Sequence, residues 1–394
     1  MAIVGLSLAA LASGASLRLT DALLPRLAQD FSISLGQASQ VITVFAVAYG
    51  LSQVFFGPVG DRFGKVRVVF WACVASAGTA LLCALAPGYA ALLAGRLLSG
   101  ITAAGVIPLS MAWIGDSVPY ASRQPVLARF LIGQITGFAI GVAAGGYAAE
   151  HLDWRTPFFG LATLFLAVAV VLHSVRKRYP QATARAPIES ESRPPKMAAE
   201  FRAVLSRPWA RVVLLTVFLE GACVFSAFAF MPAHLHLRLA LPLSTVGALV
   251  MLFALGGLGF AFGARTLVRR LGEKLLVRWG AGVLAVMLLT IAAAPGWGWV
   301  VPASAAMGLG FYMMHNTLQT HATQMAPERR GAAVAAFAAS FFLGQATGVA
   351  LAGLLVGFVG TGWIIAGSAA CVLLVAWNFN RQRKILLVPA TGFA

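Results

Sequence analysis

The sequence is short of charge. Asp, Glu, Lys and Arg make up 10% of its 394 residues, whereas a typical soluble domain carries roughly 25%. Acids are scarcest, with 12 Asp and Glu against 29 Lys and Arg, for a formal net charge of +17. Since 60% of the residues are hydrophobic, such a chain would expose far more apolar surface than water tolerates. Its natural solvent is lipid. Cysteine is also sparse. Cys73, Cys83, Cys223 and Cys371 lie singly inside apolar runs, with neither metal-ligand spacing nor a disulfide framework, and read as packing residues. The glycine-rich stretches lie within apolar runs and lack a Walker-type Lys-Ser/Thr, which excludes direct driving by ATP. Neither a hydrolytic triad nor a metal-ligand cluster is legible. An enzyme is therefore not expected, and no metal or cofactor is implied.

The surplus of positive charge raises nucleic acid as a partner. A nucleic-acid binder gathers its charge on one face of a soluble domain. Here the basic residues fall in short gaps between apolar runs, so the partner is the bilayer and no nucleic acid is expected. A spanning helix needs about 20 mostly apolar residues. Spans are predicted near 3–24, 36–57, 67–86, 90–114, 126–148, 156–174, 209–232, 244–265, 274–294, 297–320, 332–356 and 361–380. With both termini placed in the cytoplasm, 24 of the 29 basic residues fall in cytoplasmic segments. Arg26, Arg155 and Arg238 fall outside, and Arg18 and Arg96 lie within spans. That bias follows the positive-inside rule and supports the count of twelve. It points to a multi-pass protein of a bacterial-type inner membrane.

The single long polar segment, 175–208, contains Arg176-Lys177-Arg178 and then Pro187, Pro194 and Pro195 among Ser and Glu. This is linker composition. It divides the chain into an N-terminal bundle (1–174), a cytoplasmic linker (175–208) and a C-terminal bundle (209–394), with a surface helix expected around 197–206. The halves repeat one another. Gly133-Gln134-Ile135-Thr136-Gly137 matches Gly344-Gln345-Ala346-Thr347-Gly348, Pro25 matches Pro232, and Gly57 and Gly64 match Gly263 and Gly272. An even number of spans per half gives both halves the same orientation, hence a parallel repeat about the membrane normal.

Between spans two and three runs Gly57-Pro58-Val59-Gly60-Asp61-Arg62-Phe63-Gly64-Lys65. It resembles the signature loop of the major facilitator superfamily, G-x-x-x-D-R-x-G-R/K. The resemblance implies an all-α membrane protein with twelve transmembrane helices in two pseudo-symmetric six-helix bundles. It further implies a secondary transporter that works as a monomer by alternating access. The second half carries a degraded copy in Gly263, Arg269, Arg270 and Gly272, without the Asp. Arg96-Leu97-Leu98-Ser99-Gly100 and the stretch from Gly137 to Gly146 resemble elements of the twelve-span drug/proton antiporter branch, with Ser99 for Gln and Val142 for the usual proline. That branch implies efflux of small amphipathic or drug-like molecules, driven by the proton gradient. Proton-linked uptake, or sugar or organic-solute transport by the same fold, is the alternative.

Only two acids, Asp21 and Glu220, fall within spans. An ionised acid at mid-bilayer costs about 2.5–3.5 kcal/mol, so each should face a cavity or a partner. Asp21 stands four residues before Pro25, a D-x-x-x-P spacing that resembles the span-one acid of proton-coupled multidrug exporters. Asp21 is expected as the main proton site and Glu220 as a second proton or cation-recognition site; pairing with Arg18, three residues back, is the structural alternative for Asp21. Arg96, a cation in mid-span, should face the bundle interior, where the resemblance implies a part in proton coupling and plain backbone bracing is the alternative. By the same resemblance Gly57, Asp61, Arg62, Gly64, Lys65 and Asp116 form a cytoplasmic gating relay, with Asp61 facing the start of span eleven.

Gly133, Gly137, Gly141 and Gly145 recur every four residues and share one helix face, with Gly146 beside them. Static packing and a sliding gate interface suit that face equally. Arg18, Trp113, Gln134, Phe225, Phe228, Phe230, Tyr312, Asn316 and Gln345 are candidate lining for a substrate cavity. His234, His236, His315 and His321 lie near span ends and read as rim or cavity polar groups.

Overall fold

The computed structural model describes residues 2–178 and 197–387. Every regular element among them is helical: α1 (Ala2–Arg18), α2 (Leu24–Asp30), α3 (Leu35–Ala38), α4 (Gln40–Phe63), α5 (Lys65–Ala84), α6 (Tyr89–Ala103), α7 (Val106–Ser117), α8 (Tyr120–His151) and α9 (Thr156–Arg178) in the first half. The second half holds α10 (Met197–Leu205), α11 (Pro208–Leu239), α12 (Leu243–Met251), α13 (Phe253–Ala293), α14 (Trp297–Gln324), a short 3₁₀ turn (Pro327–Arg329) and α15 (Arg330–Leu387).

A 30 Å hydrocarbon core takes about 20 helical residues. The apolar stretches Leu243–Ala293 and Pro327–Leu386, of 51 and 60 residues, are therefore two crossings each. The chain reverses at Gly272 (φ 64°) and Gly360 (φ 79°). Between spans two and three it reverses at Gly64 (φ 87°). A side chain would be strained at these dihedrals, which is why the repeat keeps glycine at both Gly64 and Gly272. The eight long apolar stretches then give ten crossings, and α1 with α2 and the 28-residue α14 bring the described residues to twelve, six in each half.

Four crossings are broken where continuous helices were expected, span two among them, at Ser39 between α3 and α4. Span one stops at Arg18 and resumes at Leu24, so Asp21 lies in a turn and not in a helix. The cause is Pro25 at the start of α2: a proline ring clashes with the carbonyl four residues back, which is that of Asp21. Span four breaks between α6 and α7, and span eight between α12 and α13.

Each half buries an apolar core, and each core takes in residues of the other half, Val142 in one case and Phe230 and Val349 in the other. In the first, α1 packs on α8, α5 on α9 and α4 on α6; in the second, α11 packs on α15 and α13 on α14. The two bundles meet along α4 with α15 and along α8 with α12. The linker helix α10 lies close to the predicted 197–206. It is held by Glu200, which pairs with Arg329, while Arg207 binds Glu328 at 2.7 Å. Residues 179–196 of the predicted linker, with Arg185, Arg193 and Lys196, lie outside the described residues.

Candidate functional site

A small, partly open cavity lies between the bundles. The first bundle lines it with Arg18, Ile135, Phe138, Ala139 and Val142, and the second chiefly with aromatic rings, among them Phe225, Phe228, Phe253, Phe311 and Tyr312. The guanidinium of Arg18 lies 4.0 Å from the ring centre of Phe225, with Phe228 and Phe138 at 5.3 and 5.6 Å. It donates to Oδ2 of Asp21 (3.4 Å) and, across the bundle interface, to Oε1 of Gln345 (3.2 Å). Arg18 thus joins both halves at the cavity wall. Of the nine candidate lining residues, Arg18, Phe225, Phe228 and Tyr312 face the cavity, and Gln345 reaches it through Arg18. Gln134, Trp113 and Asn316 are half-buried and Phe230 is buried, all outside the lining.

Both acids predicted inside spans are fully buried. Asp21 has the expected Arg18 partner on Oδ2, while its Oδ1 makes no hydrogen bond. Glu220 sits on α11 below Phe225, with Oε2 2.8 Å from Nδ1 of His315 on α14 and Oε1 unpartnered. His315 stacks on Phe311 and packs against Phe341, so the pair continues the aromatic wall of the cavity. Sequence alone missed this pair. The two residues are 95 positions apart, and the only signal was that each interrupts an apolar run.

Arg96 is buried and donates to the carbonyls of Val41 (3.3 Å) and Ser16 (3.2 Å) and to Thr20 Oγ1 (3.5 Å), over the ring of Phe45. It braces spans one, two and four, the backbone alternative named above, and it makes no ion pair with Asp21.

The glycines separate into two sets. A Cβ on Gly133 or Gly141 would come within 2.6 or 2.5 Å of the carbonyls of Ser7 or Ala15, and Gly137 and Gly145 abut the carbonyls of Leu11 and Leu19. All four therefore seat α8 on α1 inside one bundle. Gly344 and Gly348 seat α15 on α11 in the same manner, as the repeat requires. Gly146 faces the other way. A Cβ there would lie 2.5 Å from the carbonyl of Leu243 and 3.0 Å from Cα of Gly247, both in the opposite bundle.

A second inter-bundle approach pairs Gly36 with Gly353, and the carboxylate of Glu150 accepts from the backbone N–H of Ser244 at 2.8 Å. These three contacts close the bundles at the end where α8 turns into α9 and α11 into α12. Midway, Tyr49 packs on Phe342 at 4.4 Å. Toward the opposite end, among the described residues, the ion pairs of Lys65, Glu273 and Arg383 each stay within one bundle and leave that end unjoined.

At that open end Lys65 binds Asp61 (3.0 Å) and Asp116 (2.7 Å). Asp61 is at the C-terminus of α4 and Lys65 at the N-terminus of α5, each on the unfavourable side of its helix dipole. The charges are thus placed for one another and not for helix stability. The expectation that Asp61 faces the start of span eleven is not met: its side chain is 67% exposed and pairs with Lys65 alone. Arg62 lies over the neighbouring ring of Phe63.

The second half answers with an inverted cluster, unread in the sequence. Glu273, at the place matching Lys65, binds Arg383 at 2.7 Å and lies 3.5 Å from His321. His234 is held by Thr361 and Ala292, and His236 by the carbonyl of Leu241.

Comparison with known proteins gives this arrangement its context. The family model described as Major Facilitator Superfamily matches residues 6–335. The uncharacterized MFS-type transporter YceJ of Bacillus subtilis is 26% identical over 347 residues, 86% of this chain and 84% of the relative. The multidrug export protein EmrB of Escherichia coli is 30% identical over 173 residues, which is 44% of this chain and 33% of EmrB. The crystal structure of a mutant form of the nucleoside transporter NupG superposes with a TM-score of 0.80 at 12% identity, covering 96% of this chain and 99% of that one; at that identity it shares the fold alone.

Proposed function

The chain belongs to the major facilitator superfamily, whose members are multi-pass membrane transporters, and on that premise we propose that it is a proton-coupled exporter of small amphipathic molecules. Substrate enters the inter-bundle cavity from the open end, the bundles rock, and the closed end parts to release it. The observation that carries this reading is the pair of buried carboxyls, Asp21 in one bundle and Glu220 in the other, each with an oxygen lacking a hydrogen-bond partner. A buried, half-satisfied carboxylate is costly in a static scaffold, and binding a proton relieves the cost. Protons entering when the closed end parts discharge these groups, and substrate leaves in exchange. The multidrug relative supports export over uptake.

Several assignments belong to the same reading. The closed end faces outward and both termini lie in the cytoplasm of a bacterial-type inner membrane, because basic residues concentrate on that side. The division at 175–208 separates two bundles that work as one monomer. Lys65, Asp61 and Asp116 act as a latch that engages span eleven once the cytoplasmic ends come together. Everted vesicles energised with a proton gradient and given ethidium as probe test the core claim. Wild type should accumulate ethidium, while Asp21→Asn and Glu220→Gln, shown to be folded, should lose the gradient-driven part. Undiminished uphill transport in both variants refutes it.

Arg18 favours a second reading, proton-linked uptake of an organic anion. It is the charged residue among those lining the cavity. An anion bound to Arg18 would strip Asp21 of its partner, so that Asp21 takes a proton and both travel inward together. Substrate-induced alkalinisation outside intact cells selects this reading, and substrate-driven collapse of the gradient in everted vesicles selects export.

A further inference from the structure

Glu220 is sealed. Its side chain is 0% exposed, Oε1 is buried without a partner, and Oε2 meets only Nδ1 of His315. A group that loads and unloads protons needs a path to water, and Glu220 has none of its own. The imidazole of His315 supplies both ends of such a path. Its side chain is 17% exposed, Nδ1 holds Glu220 at 2.8 Å, and Nε2 neither makes a hydrogen bond nor counts among the sealed, unpartnered nitrogens. The ring is fixed in that pose by Phe311 at 5.1 Å, nearly parallel, and by Phe341 at 4.7 Å. Of these two rings, Phe311 lines the cavity. Other titratable neighbours of Glu220 are two thiols, Cys223 one turn along α11 and Cys371 of α15 beside it; α15 otherwise presents the backbone of Phe341 against Gly221. Among the described residues no charged side chain other than His315 bears on Glu220.

We propose that His315 is the proton relay through which Glu220 exchanges with the cavity. The inference rests on the proton-coupled reading above. The step is balanced within the ring. Water delivers a proton to the Nε2 lone pair, giving an imidazolium. The Nδ1–H bond breaks as Oε2 takes that proton, leaving a protonated Glu220 and a neutral ring with its hydrogen on Nε2. Discharge runs the same bonds in reverse, so no ring flip is needed and the stacked rings can stay in place. Nε2 is the ring nitrogen left without a protein partner, so the relay works from whichever end brings water to it.

The test uses the full-length protein in liposomes and needs no substrate. Infrared difference spectra after a pH jump follow the carboxyl C=O band, and Glu220→Gln identifies which part belongs to Glu220. The expected result is that His315→Phe keeps the Glu220 band but slows its equilibration at least about tenfold, within the range that a positioned acid–base group contributes. His315→Asn, smaller and polar, provides the same reading should the phenylalanine variant fail to fold. A Glu220 band that equilibrates at the wild-type rate in either variant overturns the relay while leaving Glu220 a proton site. A wild-type spectrum with no band sensitive to Glu220→Gln overturns both the relay and the coupling role of Glu220. A merely structural role for His315 would shift the melting temperature without changing this rate.

Discussion

At the scale of single residues, the interior is organised by a few polar groups with unequal satisfaction. Arg96 is bound on three sides, to Ser16, Thr20 and Val41, and so reads as a brace. Replacing it with leucine strands the Ser16 carbonyl at the end of α1, at about 1–3 kcal/mol for a buried group left unpaired, and removes a second bond from that of Val41. Arg96→Leu should therefore lower the unfolding temperature of the detergent-solubilised protein. Arg96→Lys should recover only part of it, because an ammonium cannot reproduce the planar fork. Equal melting of all three proteins would show that Arg96 is not a brace. Arg18 differs: it is held by one long ion pair and one bond across the interface, against three rings. Arg18→Met keeps much of the packing and removes the charge. It also leaves the buried Asp21 without its partner, so melting should fall at pH values where Asp21 is ionised; substrate affinity in transport assays should change as well, and unchanged affinity would remove Arg18 from the binding site.

At the scale of elements, the glycines of α8 separate scaffold from moving part. Gly137 touches the Leu11 carbonyl within its own bundle, and Gly146 touches α12 across the interface. Overpacking a close helix contact costs about 1–3 kcal/mol. Gly137→Val should therefore depress folding yield and melting temperature. Gly146→Val should leave the bundles intact but hold the closed end ajar. Labelling of a cysteine placed at the closed end would then rise in Gly146→Val and not in Gly137→Val. The reverse pattern would mean that the two faces are assigned the wrong way round.

At the scale of the whole molecule, the bundles are joined at one end, while at the other the ion pairs stay within each bundle. Glu150 on α8 and the start of α12 at Ser244 are joined by a 2.8 Å hydrogen bond. In a background without the four native cysteines, Glu150→Cys with Ser244→Cys should cross-link on oxidation, and the cross-link should stop transport until reduced. Continued transport by the cross-linked protein would show that this end need not open. The latch should respond oppositely. Lys65 makes two partly exposed ion pairs within one bundle, so Lys65→Ala removes at most about 1 kcal/mol for each. It should slow turnover far more than it lowers stability, as a comparison of transport rate with melting temperature would show.

Sequence alone determined the solvent, the number of crossings and the repeat. Those follow from local quantities: runs of about 20 apolar residues, basic residues between them, and glycines at Gly64 and Gly272 where the chain must reverse. It also picked out Asp21, Glu220 and Arg96, because a charge inside an apolar run is conspicuous wherever it lies. What each of them touches was decided only by the tertiary structure. Helix periodicity puts Gly145 and Gly146 on different faces but does not say which face meets the other bundle. The composition of a span cannot show that Glu220 rests on His315, that Arg96 is spent on carbonyls, or that Asp61 stands free of span eleven. Pairings between crossings far apart in the chain depend on how two bundles are tilted together, and that angle is a property of the packed molecule, not of any segment within it.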